Sequence, residues 1–501
     1  MAVPSGLAAV DHIILLMLEN RSFDHMCGML YAPTNPPPFD QPPRGQPFDG
    51  VAGKNLSNPI PCGVPGSEHK IVPVGLAIDP HTPVPDPGEE YPHVNTQLFG
   101  TINPPENSRP PFRPPYNLPD NPPDAPPMNG FVRDYVEVLR EQRIPVTYDN
   151  YKVIMEVFPP TMVPVISHLA RQYAVSDRFF CSVPTQTLPN RSFALAAASS
   201  GFSVNQPYYQ WVHNDVETIF NRIQDAGKPD LTWRVYFDSE DIVPLTGLLL
   251  PRTWRHLFTN FSHMDRFYED IRTGNLPSFS VVEPRLFTHH NRNDQHPPYS
   301  VWAGERLIYD IYQALSHGPK WAKTLFLITY DEHGGTFDHV PPPKAVPPCP
   351  DAPLGQMDFG FDRLGIRVPM VLVSPLIEPG TVFRAKDDQG NEVPLDHASI
   401  VKTVTARFGL PSLTARDAVA ADFGGALTLV EPRRDLPEIP TPPTVIEPWS
   451  AGAPPSGLLQ AATGILSARL HLPAPLFTAA EEALDFLRGF VTRLDDFIDG
   501  K

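Results

Sequence analysis

Asp11-His-Ile-Ile-Leu-Leu-Met-Leu-Glu-Asn20 is an apolar run that ends abruptly in a carboxylate and an amide. Residues 13–18 contain no polar side chain, which is typical of a parallel strand buried on both faces. Thr324-Leu-Phe-Leu-Ile-Thr-Tyr-Asp-Glu332 has a similar design and ends in two acids. In open α/β sheets, the carboxyl ends of parallel strands meet at one edge and form the site there. The two stretches therefore predict a mainly parallel α/β sheet with a polar cluster at one edge.

Apolar runs alternate with segments of helical spacing along the rest of the chain. We expect strands at residues 174–180, 278–283 and 368–374, and helices at residues 131–141, 163–173, 303–316 and 398–408. This alternation is the pattern of a parallel sheet that is covered by helices on both faces.

Proline accounts for 65 of the 501 residues and is concentrated in two regions. We expect a catalytic domain over residues 1–430, in which residues 31–130 form a proline-rich insertion near the site. The insertion is compatible with a wall or lid of the site and equally with a surface wrap. Residues 431–456 are expected to be a proline-rich linker, and residues 457–501 a helical appendage.

The acidic composition argues against two classes of protein. Asp plus Glu number 56 against 39 Lys plus Arg, which gives a formal net charge of −17. A nucleic-acid binder needs a basic face, and so does recruitment to an anionic membrane. No stretch is apolar over the ~18–20 residues of a membrane span, so we expect at most peripheral membrane contact. Residues 1–6 show no signal peptide, which leaves a cytoplasmic location, leaderless export, or a leader absent from this sequence.

The four cysteines, Cys27, Cys62, Cys181 and Cys349, form no Cys-x-x-Cys pair. This spacing argues against a zinc-thiolate site. Buried or free thiols are the expectation, and a disulfide between Cys27 and Cys62 has no support from the spacing.

Four polar residues at the two strand ends are the predicted metal ligands: Glu19, Asn20, Asp331 and Glu332. Three carboxylates at one sheet edge cannot all ionise without a cation. All-oxygen ligands suit calcium, magnesium or manganese, whereas neighbouring histidines would favour zinc or iron. The alternatives are a solvated strand end for the two acids and an ion pair between Glu19 and Arg21.

The motifs at the two strand ends resemble those of a known family. Glu19-Asn-Arg-Ser-Phe-Asp-His25 and Tyr330-Asp-Glu-His-Gly-Gly-x-x-Asp-His-Val340 resemble signatures of the phosphoesterase family. That family contains bacterial and plant non-specific phospholipases C and an acid phosphatase branch, and its fold is related to alkaline phosphatases. The resemblance runs from about residue 10 to residue 425. It implies a metal-dependent phosphoester hydrolase of alkaline-phosphatase-like fold, from a family whose members are often exported.

Thr187 is the predicted nucleophile. It follows an apolar run and precedes Pro189, which suits the first turn of a helix, where free backbone N–H groups attract phosphate. The resemblance adds that the family's attacking threonine lies in Thr-x-Pro-Asn-Arg, a pattern that residues 187–191 match. The alternatives are a helix cap and catalysis by Thr185. Coordination of Thr187 by the metal would make its hydroxyl a better nucleophile.

Two side chains are expected to contact the substrate phosphate, Asn20 and Arg191. A guanidinium matches the geometry of phosphate oxygens. Arg191 is equally compatible with a structural role, in which it pins its helix to Asp331.

Histidines are the predicted acids that protonate the leaving oxygen, since histidine titrates near neutral pH. The resemblance places histidines around the phosphate, which makes His289, His290 and His296 candidates, with His93 on a shorter match. Three further histidines lie within motifs and rank lower because a structural role is as compatible with each: His333, His339 and His397.

The predicted reaction is cleavage of a phospholipid into diacylglycerol and a phosphorylated head group, through a phosphothreonine intermediate. An acid phosphatase acting on soluble phosphomonoesters is the alternative, and a catalytically inactive binding protein on this fold is less favoured. The absence of a Gly-x-Ser-x-Gly motif argues against a serine lipase.

The last segment of the chain predicts an amphipathic helix. Residues 478–481 read as a capping box, and apolar residues then recur at alternating spacings of three and four up to residue 498. We expect this apolar face to pack on the enzyme body or on a second copy, which would make a homo-oligomer. A lipid or partner contact is the alternative, but the opposite face is acidic, whereas interfacial helices usually carry basic residues there.

Overall fold

An eight-stranded sheet forms the centre of the computed structural model. The structure describes residues 5–288, 292–444, 453–473 and 475–498, with side chains between residues 6 and 490. The strands, in chain order, are β1 (His12–Leu18), β2 (Ser57–Pro59), β3 (Ile71–Pro73), β4 (Gly75–Leu76), β5 (Glu156–Val157), β6 (Ala174–Ser176), β7 (Phe179–Phe180), β8 (Trp233–Phe237), β9 (Phe261–His263), β10 (Phe279–Val282), β11 (Thr324–Tyr330), β12 (Met370–Val373), β13 (Thr381–Val382) and β14 (Leu395–Asp396).

The strand order of the central sheet is β13-β6-β12-β11-β1-β10-β8-β9. Strand β12 runs antiparallel to both of its neighbours, and the other pairs are parallel. The predicted fold class, a mainly parallel α/β sheet, is therefore confirmed.

Helices pack around this sheet. They are α1 (Ser5–Ala8), α2 (Phe23–Cys27), α3 (Tyr91–Phe99), α4 (Phe131–Glu141), α5 (Tyr148–Lys152), α6 (Pro164–Gln172), α7 (Thr187–Ala196), α8 (Ile219–Asp225), α9 (Leu245–Leu249), α10 (Leu257–Asn260), α11 (Met264–Thr273), α12 (Val301–Ser316), α13 (Ala398–Phe408), α14 (Ala415–Val419), α15 (Gly457–Arg469) and α16 (Ala480–Ile498).

Strand β1 lies in the middle of the sheet, and every one of its residues is buried. It pairs in parallel with β11 on one side and β10 on the other. The register sets Leu18 opposite Tyr330. The residues that follow these two strands, Glu19 and Asp331, therefore emerge side by side at the carboxyl edge of the sheet.

The proline-rich insertion shares a second hydrophobic cluster with α4 and α5. Helix α3 lies within the insertion, and its residues Val94 and Leu98 are fully buried in a cluster with Phe131 and Leu139 of α4. Regular elements therefore lie among the prolines of the insertion, including the nine residues of α3.

The C-terminal helices belong to the main hydrophobic core. Leu459 and Leu466 of α15 and Leu487 of α16 are completely buried in the cluster that also contains the central strands. At the start of α16, the carboxylate of Glu482 accepts a hydrogen bond from the backbone N–H of Thr478 at 3.1 Å. The capping acid is thus one residue later than predicted, and Glu481 instead pairs with Arg488.

Two further sequence expectations can be compared with the structure. All four cysteines are free thiols, two buried and two exposed, so Cys27 and Cys62 are not bridged. Among the described helices, none combines the length and apolarity needed to cross a membrane.

Candidate active site

The predicted nucleophile begins a helix at the edge of the site. Thr187 is the first residue of α7 and is 2 % exposed. The loop before it is held by Asn190, whose Oδ1 accepts from Val183 N at 3.0 Å and whose Nδ2 donates to Thr185 O at 2.9 Å and Gln186 O at 3.1 Å. These bonds tie the loop to the first turn of α7, so the position of the hydroxyl is set by its own helix.

The carboxylate at the end of β1 lies next to this hydroxyl. Thr187 Oγ1 donates to Glu19 Oε2 at 3.4 Å, and Glu19 is fully buried. Asn20 follows with a left-handed backbone, φ 57°, and its N–H donates to Asp331 Oδ1 at 3.0 Å. Glu19, Asn20, Asp331 and Thr187 are therefore brought together by the strand ends and α7.

A tight turn at the end of β11 positions Asp331 and Glu332. Glu332 Oε2 accepts from Gly334 N at 2.7 Å, and Asp331 Oδ1 accepts from Glu332 N at 2.7 Å. Gly334 has φ +58°, and a Cβ there would lie 2.2 Å from the carbonyl oxygen of Asn20. Only glycine fits this close approach between the two strand ends.

Arg191 lies between the carboxylates of the two strands. Its Nε donates to Glu19 Oε1 at 2.9 Å and lies 3.6 Å from Asp331 Oδ2, and its Nη2 donates to Met17 O at 3.1 Å. The guanidinium is buried and occupied by the protein. This geometry corresponds to the structural alternative, in which Arg191 pins α7 to the sheet, and it leaves phosphate contact by Arg191 without geometric support.

Burial and mutual repulsion change the acidity of the clustered carboxyls. Burial, together with the nearby Asp331 carboxylate, raises the pKa of Glu19 well above its usual range. Burial and the carboxylate of Glu89 do the same for the pKa of Glu332. A cation among these groups would offset both effects.

Three buried oxygen atoms at the strand ends have the properties of metal ligands. Asn20 Oδ1, Asp331 Oδ2 and Glu332 Oε1 are buried and accept no hydrogen bond. Buried acceptors are normally satisfied, so such atoms point to a missing partner. Carboxylate and amide oxygens are the ligands that hard divalent cations prefer. The residues present therefore fit a divalent metal by donor chemistry.

A tighter group of possible metal ligands lies elsewhere. Within the described ranges, Asp24, Asp338 and His339 form the one set of three acid, histidine or cysteine side chains whose ligand atoms lie within 4.8 Å of one another. Arg367 already donates to Asp24 Oδ1 and to Asp338 Oδ1, each at 2.9 Å. Because a buried guanidinium neutralises these acids, the group is accounted for as a salt-bridged core element.

Thr187 opens onto a cavity of about 270 Å³. The insertion contributes Asp86 and Glu89 to its lining, and the segment after β10 contributes Arg292 and His296. Residues 454–458, from the end of the predicted linker and the start of α15, also line it. Asp86, Glu89 and Arg292 were not among the predicted site residues, although they lie in the two segments for which His93 and His296 were predicted.

Of the three histidines predicted in the segment after β10, the structure describes His296. His296 lies in the cavity, with its Nδ1 3.7 Å from Asp86 Oδ1. His289 and His290 fall outside the described residues. Their neighbour Thr288 is described and lies at the edge of a second cavity.

His93 is not among the residues that line the Thr187 cavity. Its Nδ1 lies 2.8 Å from Asp134 Oδ1 of α4 and its Nε2 lies 3.6 Å from Oε2 of Glu90, which precedes α3, so both ring nitrogens face carboxylates. Burial opposes the charge on this ring, but the Asp134 carboxylate outweighs it and raises the pKa of His93 to about 9. These contacts support a structural role for His93.

The lower-ranked histidines also have protein partners. His333 Nε2 lies 2.7 Å from Gln97 Oε1, and burial lowers the pKa of His333 to about 3. His397 Nε2 lies 2.9 Å from the carbonyl oxygen of Tyr330 and is fully buried. Both rings sit behind the strand ends, where they support the turn that carries Asp331.

The chain is distantly similar to several solved structures. A lipoteichoic acid synthase from Listeria monocytogenes is 11% identical with a TM-score of 0.31, covering 53% of this chain and 70% of that chain. A protein in the alkaline phosphatase superfamily from Vibrio parahaemolyticus is 13% identical with a TM-score of 0.29, covering 53% of this chain and 64% of that chain.

Comparison with known sequences covers nearly the whole chain. Non-specific phospholipase C1 of Arabidopsis thaliana is 35% identical over 451 residues, covering 88% of this chain and 76% of that protein. Phospholipase C B of Mycobacterium tuberculosis is 27% identical, covering 86% of this chain and 80% of that protein. The phosphoesterase family model matches residues 10–411. The chain therefore belongs to the phosphoesterase family and is a hydrolase that acts on phosphoester bonds.

Proposed function

We propose that this protein is a metal-dependent phospholipase C that uses Thr187 as its nucleophile. The observation that carries the proposal is the position of Thr187. Thr187 begins a helix, and its hydroxyl donates to Glu19 at 3.4 Å. The residue also lines a cavity, and three buried oxygens of the adjoining strand ends accept no hydrogen bond. The sequence relatives named phospholipase C support the reaction class.

The proposed chemistry assigns each group a role at the phosphate. Thr187 Oγ attacks phosphorus, and its proton is directed at the Glu19 carboxylate. The bond from phosphorus to the glycerol oxygen breaks, and a histidine of the segment that contains His289, His290 and His296 protonates that oxygen. Water then attacks phosphorus and gives a proton to that histidine. The bond from phosphorus to Thr187 Oγ breaks, Oγ takes back the proton from Glu19, and the phosphorylated head group is released.

A divalent cation would be held by Glu19, Asn20, Asp331 and Glu332, and when bound it would lower the pKa of the Thr187 hydroxyl and stabilise charge on the phosphoryl oxygens. Its identity among calcium, magnesium, manganese and zinc stays open, although the oxygen donors suit the harder ions. Arg292 lines the cavity, but like Arg191 it is already paired with an acid, since its Nε donates to Asp294 Oδ2 at 2.8 Å, so phosphate contact by Asn20 or Arg191 stays a prediction.

The substrate is proposed to be a phospholipid. The family resemblance also includes acid phosphatases, so the two activities must be separated by assay. We expect hydrolysis of p-nitrophenylphosphorylcholine and of phosphatidylcholine to exceed hydrolysis of p-nitrophenyl phosphate, and chelation to abolish all three. Faster turnover of the phosphomonoester would favour the acid phosphatase alternative.

The nucleophile can be tested directly. Thr187→Ala should lower kcat by about 10³-fold or more, since covalent catalysis loses its attacking atom, while Thr187→Ser keeps part of the activity. Brief incubation with substrate, acid quenching and mass spectrometry should place a phosphoryl group on residue 187 of the unaltered protein. Thr185→Ala is the matched control, because Thr185 Oγ1 donates to Ser203 O at 2.7 Å and this variant should keep its activity. Full activity of Thr187→Ala would exclude the mechanism.

A further inference from the structure

Glu89 is a carboxylate of the proline-rich insertion that reaches the ends of the central strands. It lies two residues before α3 and lines the Thr187 cavity. Asn20 Nδ2 donates to Glu89 Oε2, and Gln186 Nε2 lies 3.4 Å from Glu89 Oε1. The side chain thus contacts residues that flank both Glu19 and Thr187.

The bond to Asn20 decides how that amide is oriented. A carboxylate accepts hydrogen bonds, so it selects the NH₂ side of the amide and turns Oδ1 away from itself. Asn20 Oδ1 is buried and accepts no hydrogen bond. Glu89 therefore leaves the amide oxygen of Asn20 free to bind another group, and Asp331 Oδ2 and Glu332 Oε1, at the end of the neighbouring strand, accept no hydrogen bond either.

Glu89 also adds charge to that space. Its carboxyl is within hydrogen-bonding range of Glu332. Arg191, in contrast, is committed to Glu19 and Asp331. Arg191 thus pairs with two acids, whereas no described arginine or lysine forms an ion pair with Glu89 or Glu332, and Glu332 Oε2 lies 3.3 Å from His333 Nδ1.

We propose that Glu89 is a ligand of the divalent cation, supplied by the insertion to the site that Asn20, Asp331 and Glu332 form. This inference rests on the metal site of the proposed function and extends it by one residue. It gives the insertion a role in assembling the centre, because the cation would join the insertion to the strand ends.

The test is binding of Mn²⁺ to the full-length protein after removal of metal with a chelator. Glu89→Gln keeps an oxygen that accepts the bond from Asn20 but removes the charge, so loss of binding reports a ligand rather than an orienting residue. We expect the dissociation constant, measured by calorimetry and by electron paramagnetic resonance of Mn²⁺, to rise by about 10- to 100-fold.

Glu90→Gln is the matched control. Glu90 is the next residue, and its Oε2 lies 3.6 Å from His93 rather than in the site. This variant should bind Mn²⁺ like the unaltered protein. Thermal melting of the stripped proteins, which should not differ between the two variants, checks that both are folded.

The outcomes separate this inference from the proposed function. If Asp331→Asn weakens Mn²⁺ binding and Glu89→Gln does not, the metal site stands and the role of Glu89 is overturned. If the unaltered protein binds no Mn²⁺, calcium, magnesium or zinc, the metal site and the role of Glu89 both fall, while phosphorylation of Thr187 would still support the nucleophile.

Discussion

Arg191 is the residue at which the nucleophile's helix and the two central strands meet. Its guanidinium contacts Glu19 and Asp331 and donates to the backbone of β1. If it is structural, Arg191→Met should lower the free energy of unfolding by about 3–5 kcal/mol, because two buried carboxylates lose their counter-charge. Urea denaturation, with chelator present, measures this.

The exposed pair of Arg252 and Asp215, at 2.7 Å, supplies the comparison. Arg252→Met should change the free energy of unfolding by less than about 1 kcal/mol, since an exposed ion pair contributes little. If Arg191→Met were as stable as Arg252→Met but had a strongly raised KM, Arg191 would be a phosphate-binding residue and the structural assignment would be wrong.

Among the candidate site residues, the sequence predicted those that follow a strand or begin a helix. Glu19, Asp331 and Thr187 each follow an apolar run or open a motif, so a local pattern marks them. Glu89 and Arg292 have no such mark, because their positions depend on how an irregular segment folds back over the sheet. Contacts between residues far apart in the chain cannot be read from spacing.

Asn190 illustrates how an element positions its catalytic group. Its side chain makes four hydrogen bonds to the backbone of the loop before Thr187, with distances of 2.9 to 3.1 Å. Asn190→Ala should free this loop and displace the Thr187 hydroxyl, so kcat should fall by about 10²-fold with a smaller change in KM. The phosphothreonine yield after acid quenching should fall in parallel.

Ser192 on the same helix provides the control. Its hydroxyl donates to Ala198 O at 2.7 Å, away from the loop. Ser192→Ala should lose about 1–3 kcal/mol of stability, because a buried acceptor loses its donor, and should keep kcat. An equal loss of kcat in both variants would show that α7 acts through its stability and not through the loop.

Regular elements were predicted most closely where periodicity was long and uninterrupted. Helices α4 and α13 have the predicted bounds, 131–141 and 398–408. The predicted strand at 174–180 is divided into β6, which pairs in the central sheet, and β7, which pairs with β14; the buried carboxylate of Asp177, between them, binds Arg384 at 2.8 Å. A buried ion pair of that kind leaves no trace in hydrophobic spacing.

At the scale of the whole molecule, the C-terminal helices are joined to the catalytic body. Leu459 and Leu466 of α15 are completely buried in the main core, and residues 454–458 line the Thr187 cavity. The structure therefore favours packing on the enzyme body over a free appendage for the described part of this segment. Whether two copies associate through α16, as a homo-oligomer, stays a prediction.

Deletion of residues 457–501 tests this arrangement. It would remove several buried apolar side chains, each contributing about 1.5–3 kcal/mol, from a fold whose total stability is on the order of 5–15 kcal/mol. We expect low solubility or a much lower Tm, and activity reduced equally on p-nitrophenylphosphorylcholine and on phosphatidylcholine vesicles.

Leu459→Ala, which should cost about 2–5 kcal/mol, gives a folded variant for the same two assays. Deleting only residues 491–501 is the control, since α15 and the buried Leu484 and Leu487 stay in place. If the longer deletion left Tm unchanged and abolished activity only on vesicles, the segment would be a lipid-docking element. Its packing on the enzyme body would then contribute little to stability.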